Sequence, residues 1–291
     1  MDYDFLSKGV IWAYEENTCF YIDESDANMA KRDSPLEDIY PFLERYFEPL
    51  SLHRKHPKVT EAMETNNFVD PNVHQIQYHE FGRFYGGLAP LDDPVRHRKR
   101  DIQSLYAYDK DNIWLKKWML RRLFRIREHV RNTACTVLND MGLNEEYIAL
   151  SIRRGDKYLE HEIEKSLQPY LDRVENAIQK HFGGKIPTIF VASDDCSVMS
   201  EIREMQPTWN FVGACDDASE DGFVLTSVSQ WTIKQTDRHF TKFITEMIAM
   251  ASAKYFIGVS TTNVAFWVYY MRHMSADDDT WEFVDDDRYP L

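Results

Sequence analysis

No glycine-rich phosphate loop of the GxxxxGK[ST] or GxGxxG kind occurs anywhere in the 291 residues, which removes the most diagnostic signals of P-loop NTPases and of NAD-dependent enzymes. Basic residues are in deficit, 34 Lys and Arg against 48 Asp and Glu, and a net charge of -14 argues against a nucleic-acid binder while leaving room for one local cationic cluster. Long apolar runs are missing too. The longest, of the kind of "VAFWVYYM" (264–271), is far too short to span a bilayer. No basic stretch followed by an apolar one comes after Met1, so the expected location is cytoplasmic, with no membrane span. Cysteine is scarce and scattered. Cys19, Cys135, Cys196 and Cys215 form no CxxC pair, a distribution that predicts reduced thiols rather than a zinc site or a disulfide framework.

Hydrophobic residues at 43% and aromatics at 14% exclude disorder and provide for a sizeable core. There is no repeat and no low-complexity linker, but the texture changes near residue 146. The expected organisation is therefore an N-terminal α/β lobe over 1–145 and a second lobe over 146–291. In the first lobe, "GVIWAYEENTCFYIDESD" offers two short strands around a polar turn. "SPLEDIYPFLERYFEPL" reads as a helix: Ser34 is its N-cap, Pro35 its first residue, and Leu36, Ile39, Leu43 and Phe47 recur at helical spacing. Trp114, Met119, Leu123, Ile126, Val130, Val137 and Met141 mark one amphipathic helix or a pair, closed by Gly142.

The second lobe alternates. Strands are predicted at "YIALSI", "TIFVAS", "WNFVGA" and "KYFIGVS", with helices at "LQPYLDRVENAIQKHF", "SVMSEIREM", "DRHFTKFITEMIAMASA" and "TTNVAFWVYYMRHM". Strands alternating with helices imply parallel pairing through right-handed crossovers, hence a Rossmann-like lobe that binds ligands beyond the carboxyl ends of its strands. Three of those ends are polar: "SIRRGDK", "VASDD" and "GVSTTN". Arg153 and Arg154 offer planar donor forks that match a diphosphate, and the residues 260–263 open a helix whose first N–H groups favour anions. Asp194 or Asp195 is placed to accept from a ribose hydroxyl or a base N–H. Each piece has a plainer reading: an Arg pair is commonly a salt-bridge partner, and "SDD" and "STTN" are ordinary helix caps. It is the conjunction at three strand ends that points to a nucleoside diphosphate pocket.

Ser151-Ile152-Arg153-Arg154-Gly155-Asp156-Lys157, followed by Glu160, resembles the strand-end signature of the α-1,6-fucosyltransferase family and its O-fucosyltransferase relatives, inverting nucleotide-sugar enzymes of GT-B-like architecture. The "VASDD" strand end, the segment 255–270 and the "WEFVDDDRY" tail are similar to later motifs of that family, and the likeness runs from about residue 105 to the end. It implies an α/β, GT-B-like fold of two lobes, whose C-terminal Rossmann-like lobe binds the nucleotide sugar. The implied activity is that of a hexosyl- or pentosyltransferase moving a sugar from a nucleoside diphosphate sugar to a glycan hydroxyl, with inversion and with neither cofactor nor metal. Arg153 would hold the diphosphate, aided by Lys157, Thr261, Thr262 and Asn263. Arg154 and Asp156 would shape the loop, Asp195 would meet the base or ribose, and Glu160 would take the acceptor's proton, with His161 and Glu162 as neighbouring alternatives. Ser151 stands where the family has a histidine that helps hold guanosine. A hydroxymethyl group has neither the reach nor the stacking face of an imidazole, which leaves the donor open between GDP-fucose and a UDP-sugar such as UDP-xylose.

Other readings follow from other segments. "HQIQYHEFGRFYGGL" (74–88) sets Tyr78, His79, Phe81, Phe84 and Tyr85 beside two glycines, suited either to sugar faces or to packing. "RHRKR" (96–100) fits a phosphate or a solvated face. "DESD" (23–26) and the two "DDD" runs at 277–279 and 285–287 are candidates for Mn²⁺ on a diphosphate, which would duplicate the arginines. A non-catalytic nucleotide-sugar or glycan-binding module is the alternative from another class; a kinase or phosphatase lacks both phosphate loop and nucleophile motif.

Overall fold

The computed structural model describes residues 45–48, 117, 121, 124–154, 166–215, 228, 230–260, 262–272 and 279–285, with 263 and 266 as backbone only. The predicted strands of 9–26, the aromatic stretch 74–88, the basic run 96–100 and most of the helix from Ser34 lie outside the described residues, as do 155–165. The chain divides into two compact units, one of residues 1–23 and 47–125, the other of residues 24–46 and 126–291.

In the second unit the described elements run α1 (Glu128–Asp140), β1 (Ile148–Ile152), α2 (Gln168–His181), β2 (Ile189–Ser193), α3 (Ser197–Met205), β3 (Phe211–Val212), α4 (Ile233–Ser252), β4 (Tyr255–Gly258), α5 (Asn263–Met271) and β5 (Trp281–Phe283). The strands form one sheet in the order β3-β2-β1-β4-β5, every neighbouring pair parallel. All four predicted strands of this half are present. The fifth, at Trp281–Phe283, adds an edge beside β4 that the alternation of strands and helices did not predict.

Strand alternation builds two cores from one sheet. Ile148, Leu150 and Ile152 of β1, with Ile189, Val191, Tyr255 and Ile257, pack against Tyr170, Leu171, Val174 and Ile178 of α2 and Val198 and Ile202 of α3. Ala149, Phe190, Ala192 and Phe256 face the other way, onto Met247, Met250, Ala265 and Val268 of α4 and α5 and Leu138 of α1. Burial on both faces explains why the strands read as continuous apolar runs. The buried stripe of α1 is Val130, Ala134 and Leu138; Val137 and Met141, which the spacing put on that stripe, are only half-buried. Gly142, expected to close this helix, does so at φ 74, a left-handed turn in which its N–H donates to the Asn139 carbonyl.

Arg272 secures the opposite end of the α4–α5 layer. Its buried guanidinium donates to the carbonyls of Met250, Ala253, Lys254 and Thr280 and to the Thr280 hydroxyl at 2.8 to 3.2 Å. Those of Met250 and Ala253 belong to the C-terminal end of α4, where carbonyls have no partner within the helix.

One expectation is overturned. Cys196 and Cys215 are joined in a disulfide with Cα atoms 5.4 Å apart, linking the start of α3 to the chain leaving β3. Neither spacing nor composition signalled it, because the partners meet only when β2 and β3 lie side by side. Gly213 permits that approach, since a Cβ there would stand 2.5 Å from the Val191 carbonyl oxygen.

Alkylation without reduction is expected to label the exposed Cys135 and leave Cys196 and Cys215 as one linked peptide; labelling of both would show that the bridge does not form. Because the bridge closes a loop of sequence separation 19, C196S/C215S should lower the unfolding free energy by about 3 kcal/mol. Arg272→Met is expected to cost about 3 kcal/mol in denaturant unfolding, since several buried carbonyls lose their donors together.

Candidate functional site

The sheet order 3-2-1-4-5 reverses between β1 and β4. The crossover from β1 to β2 carries α2 on one face, while α4, leading into β4, lies on the other. At such a reversal the two outgoing chains separate and leave a crevice at the carboxyl edge. Arg153 and Arg154 follow β1 there, and the turn into α5 follows β4.

Alternation then sends the two arginines apart. Arg154 continues the Ile148–Leu150–Ile152 face toward α3, where its guanidinium makes a forked pair with Glu201, Nη1 to Oε1 at 2.6 Å and Nη2 to Oε2 at 2.7 Å. It also approaches Ser197 Oγ at 3.5 Å and Asp195 Oδ2 at 3.7 Å. The hydrogen bonds from Arg154, its charge and a bond from Ser197 hold the Glu201 carboxyl below its usual range, against an opposing effect of burial. Arg153 takes the alternate face. Its Nε lies 3.3 Å from Asp194 Oδ2.

The acid pair ends β2. Asp194, with 6% of its side chain exposed, accepts the Arg154 backbone N–H at 2.8 Å through Oδ1. Asp195 Oδ1 accepts the Ser197 N–H at 2.9 Å, and Ser193 Oγ accepts the Asp195 N–H at 3.1 Å, so local side chains shape the start of α3. The two acids thus have different surroundings: Asp194 is tied to β1, Asp195 to its own helix.

At the third strand end, Thr262 caps α5. Its buried hydroxyl accepts the Ala265 N–H and donates to the Val259 carbonyl, both at 3.3 Å. Asp285, just past β5, accepts from Ser260 through its N–H at 2.7 Å and its hydroxyl at 3.2 Å. That carboxylate belongs to one of the acidic runs of the sequence; here it fixes the turn before α5. Ser151 is buried within β1, 5% exposed.

Of the residues singled out in the sequence, the structure brings Arg153, Arg154, Asp194 and Asp195 together and sets Thr262 at the start of the helix that follows β4. Asp156, Lys157, Glu160, His161, Glu162 and Thr261 lie outside the described residues, as does the side chain of Asn263. Glu201 and Asp285 were not foreseen. A carboxylate four residues after Ser197, on the face of α3 turned to β1, was the available signal for Glu201. Among the described residues no group of three or more His, Cys, Asp or Glu side chains is gathered as a metal site, and no helix is long and apolar enough to cross a membrane.

Residues 97–289 match the sequence profile described as alpha-(1,6)-fucosyltransferase N- and catalytic domains. No protein with a curated description matches by sequence. Among solved structures, the NodZ α-1,6-fucosyltransferase soaked with GDP-fucose superposes with a TM-score of 0.52 at 11% identity, over 93% of this chain and 87% of that one. The Bradyrhizobium NodZ structure gives 0.52 at 10% identity, over 93% and 87%. A complex of POFUT1 with GDP matches at 0.39 and 15% identity over 59% of this chain, which spans only 49% of that protein. The NodZ likeness agrees with the GT-B-like α/β fold expected from the strand-end motif. With two thirds of its length matched by the profile and the signature arginines at the carboxyl edge of a parallel sheet, the chain belongs to the α-1,6-fucosyltransferase family.

Proposed function

We propose that this protein transfers a sugar, fucose from GDP-fucose, to a hydroxyl of a glycan acceptor by direct, inverting displacement at the anomeric carbon without a metal ion. The observation that carries the reading is that Arg153, the Asp194–Asp195 pair and the start of α5 share the carboxyl edge of one parallel sheet, around the point where its strand order reverses. Displacement at the anomeric carbon needs positive charge where the diphosphate leaves and a base for the acceptor's proton. Arg153 supplies the first, with Lys157, Thr261 and Asn263 sharing the role. Glu160 supplies the second. Asp195 meets the base or ribose, Thr262 sets the start of α5 by capping it, and Arg154 and Asp156 shape the loop between. The roles of Lys157, Asp156, Glu160, Thr261 and Asn263 rest on their positions in the family's motif. The choice of GDP-fucose is supported by the NodZ structures, one soaked with GDP-fucose and one co-crystallised with GDP.

The Cys196–Cys215 bridge supports work in an oxidising compartment, the opposite of the cytoplasmic location expected from the N-terminal sequence.

A thermal-shift screen against GDP, GDP-fucose, UDP and UDP-xylose is the direct test, since a ligand of the folded state raises Tm. GDP and GDP-fucose are expected to stabilise wild type and to leave Arg153→Ala unmoved. Stabilisation by the uridine compounds alone would transfer the donor to a UDP-sugar, and no shift with any of the four would remove the nucleotide-sugar reading. Glu160→Gln should keep the GDP shift while slowing release of nucleoside diphosphate by about 100-fold; full activity would take the base role from Glu160. Nucleotide binding by wild type without turnover on any acceptor would favour a binding module. EDTA should leave the rate unchanged.

A further inference from the structure

Arg154 stands between two carboxylates. Glu201 holds both of its terminal nitrogens at 2.6 and 2.7 Å, while Asp195 Oδ2 is 3.7 Å from Nη1. From this geometry we infer that Glu201 is a positioning residue for the donor nucleotide: by keeping the Arg154 guanidinium on α3, it holds that cation beyond hydrogen-bond distance of Asp195 and leaves the outer carboxylate oxygen to meet the ligand. The inference rests on the reading of Asp195 as a nucleotide contact.

Among the described residues, two carboxylates compete for one donor fork. A planar guanidinium binds a carboxylate best when both of its nitrogens are engaged, and Glu201 meets that condition while Asp195 does not. Asp195 is also committed through Oδ1 to the Ser197 N–H. Only its outer oxygen faces the cation. If Glu201 were removed, the nearest anion to the vacated fork among the described residues would be that oxygen, and a shift of under 1 Å would bring the pair into hydrogen-bond range. A carboxylate oxygen already taken by a guanidinium N–H accepts poorly from a ribose hydroxyl or a base N–H.

The backbone of Arg154 is held separately, by Asp194 through its N–H, so loss of Glu201 takes the forked acceptor from the guanidinium without releasing the end of β1. The Glu201 side chain is 46% exposed against 13% for Arg154, so truncating Glu201 empties a solvent-facing position and leaves the core packed. Ser197 Oγ, which also bonds Glu201 Oε1 at 3.2 Å, braces the carboxylate from within α3. This combination separates a positioning role from a stabilising one: nucleotide affinity should move much more than Tm.

GDP binding by titration calorimetry and thermal unfolding are to be measured on the full chain as wild type, E201A, E201Q, R154M and R154M/E201A. E201A is expected to weaken GDP about tenfold with Tm lowered by only a few degrees. E201Q, which keeps one acceptor oxygen, should weaken it about threefold. Both effects should vanish in the R154M background, because without the guanidinium nothing moves onto Asp195. Affinity of E201A within about twofold of wild type, or the same tenfold loss in R154M/E201A as in E201A, overturns the inference while wild-type binding keeps the donor reading intact. Should E201A not fold, the E201Q loss and its disappearance in R154M/E201Q decide the same question, and a loss that persists in R154M/E201Q overturns the inference. A wild type that binds neither GDP nor UDP overturns the donor reading first and this inference with it.

Discussion

The central strand β1 and its neighbour β2 are joined at their carboxyl ends by one carboxylate. Asp194 receives the Arg154 N–H through one oxygen and faces the Arg153 guanidinium with the other, almost out of contact with water. A buried anion costs several kcal/mol unless donors compensate it, so this one is tenable only while β1 and β2 stay in register, Ile152 opposite Ser193. The same contact decides where the cations go. With Asp194 on one side and α3 on the other, the arginine pair divides, one to each face of the sheet.

That division answers why a strand buried on both faces should end in so much charge. Within β1 the environment is apolar above and below, and residues 148–152 are all buried. One residue later the strand has ended, at the carboxyl edge where a reversal of strand order is the general place for a ligand crevice. Charged groups there are paired by neighbours that the fold brings in from other elements: Asp194 and Asp195 from the end of β2, Glu201 from α3, and Asp285 from beyond β5 at the adjoining turn. The electrostatics of the edge therefore belong to the topology, and a single strand end read alone cannot supply them.

Legibility in the sequence follows the range of the interaction. Strand and helix positions in this half were readable because burial on both faces writes itself into consecutive residues, as in "YIALSI", and because a two-faced helix such as 168–181 repeats its apolar residues locally. The polar strand ends were readable for the same reason. What was not readable depends on distant partners. The Cys196–Cys215 bridge requires β3 to pair with β2 and Gly213 to let the backbones approach. β5 is three residues long and takes its identity from β4 beside it. The stripe of α1 turned from Val137 and Met141 to Ala134 and Leu138 because the neighbouring α4, not the spacing of large residues, chose the buried face.

The disulfide and the Glu201–Arg154 pair converge on the same short turn, 194–197, from opposite sides. The bridge attaches its last part to the chain leaving β3, and the arginine reaches it from the end of β1. A turn fixed from both flanking strands, with its own N–H groups held by Ser193 and Asp195, has little freedom to reorganise when a ligand arrives. Rigidity of that kind lowers the ordering cost of binding whatever ligand this edge receives.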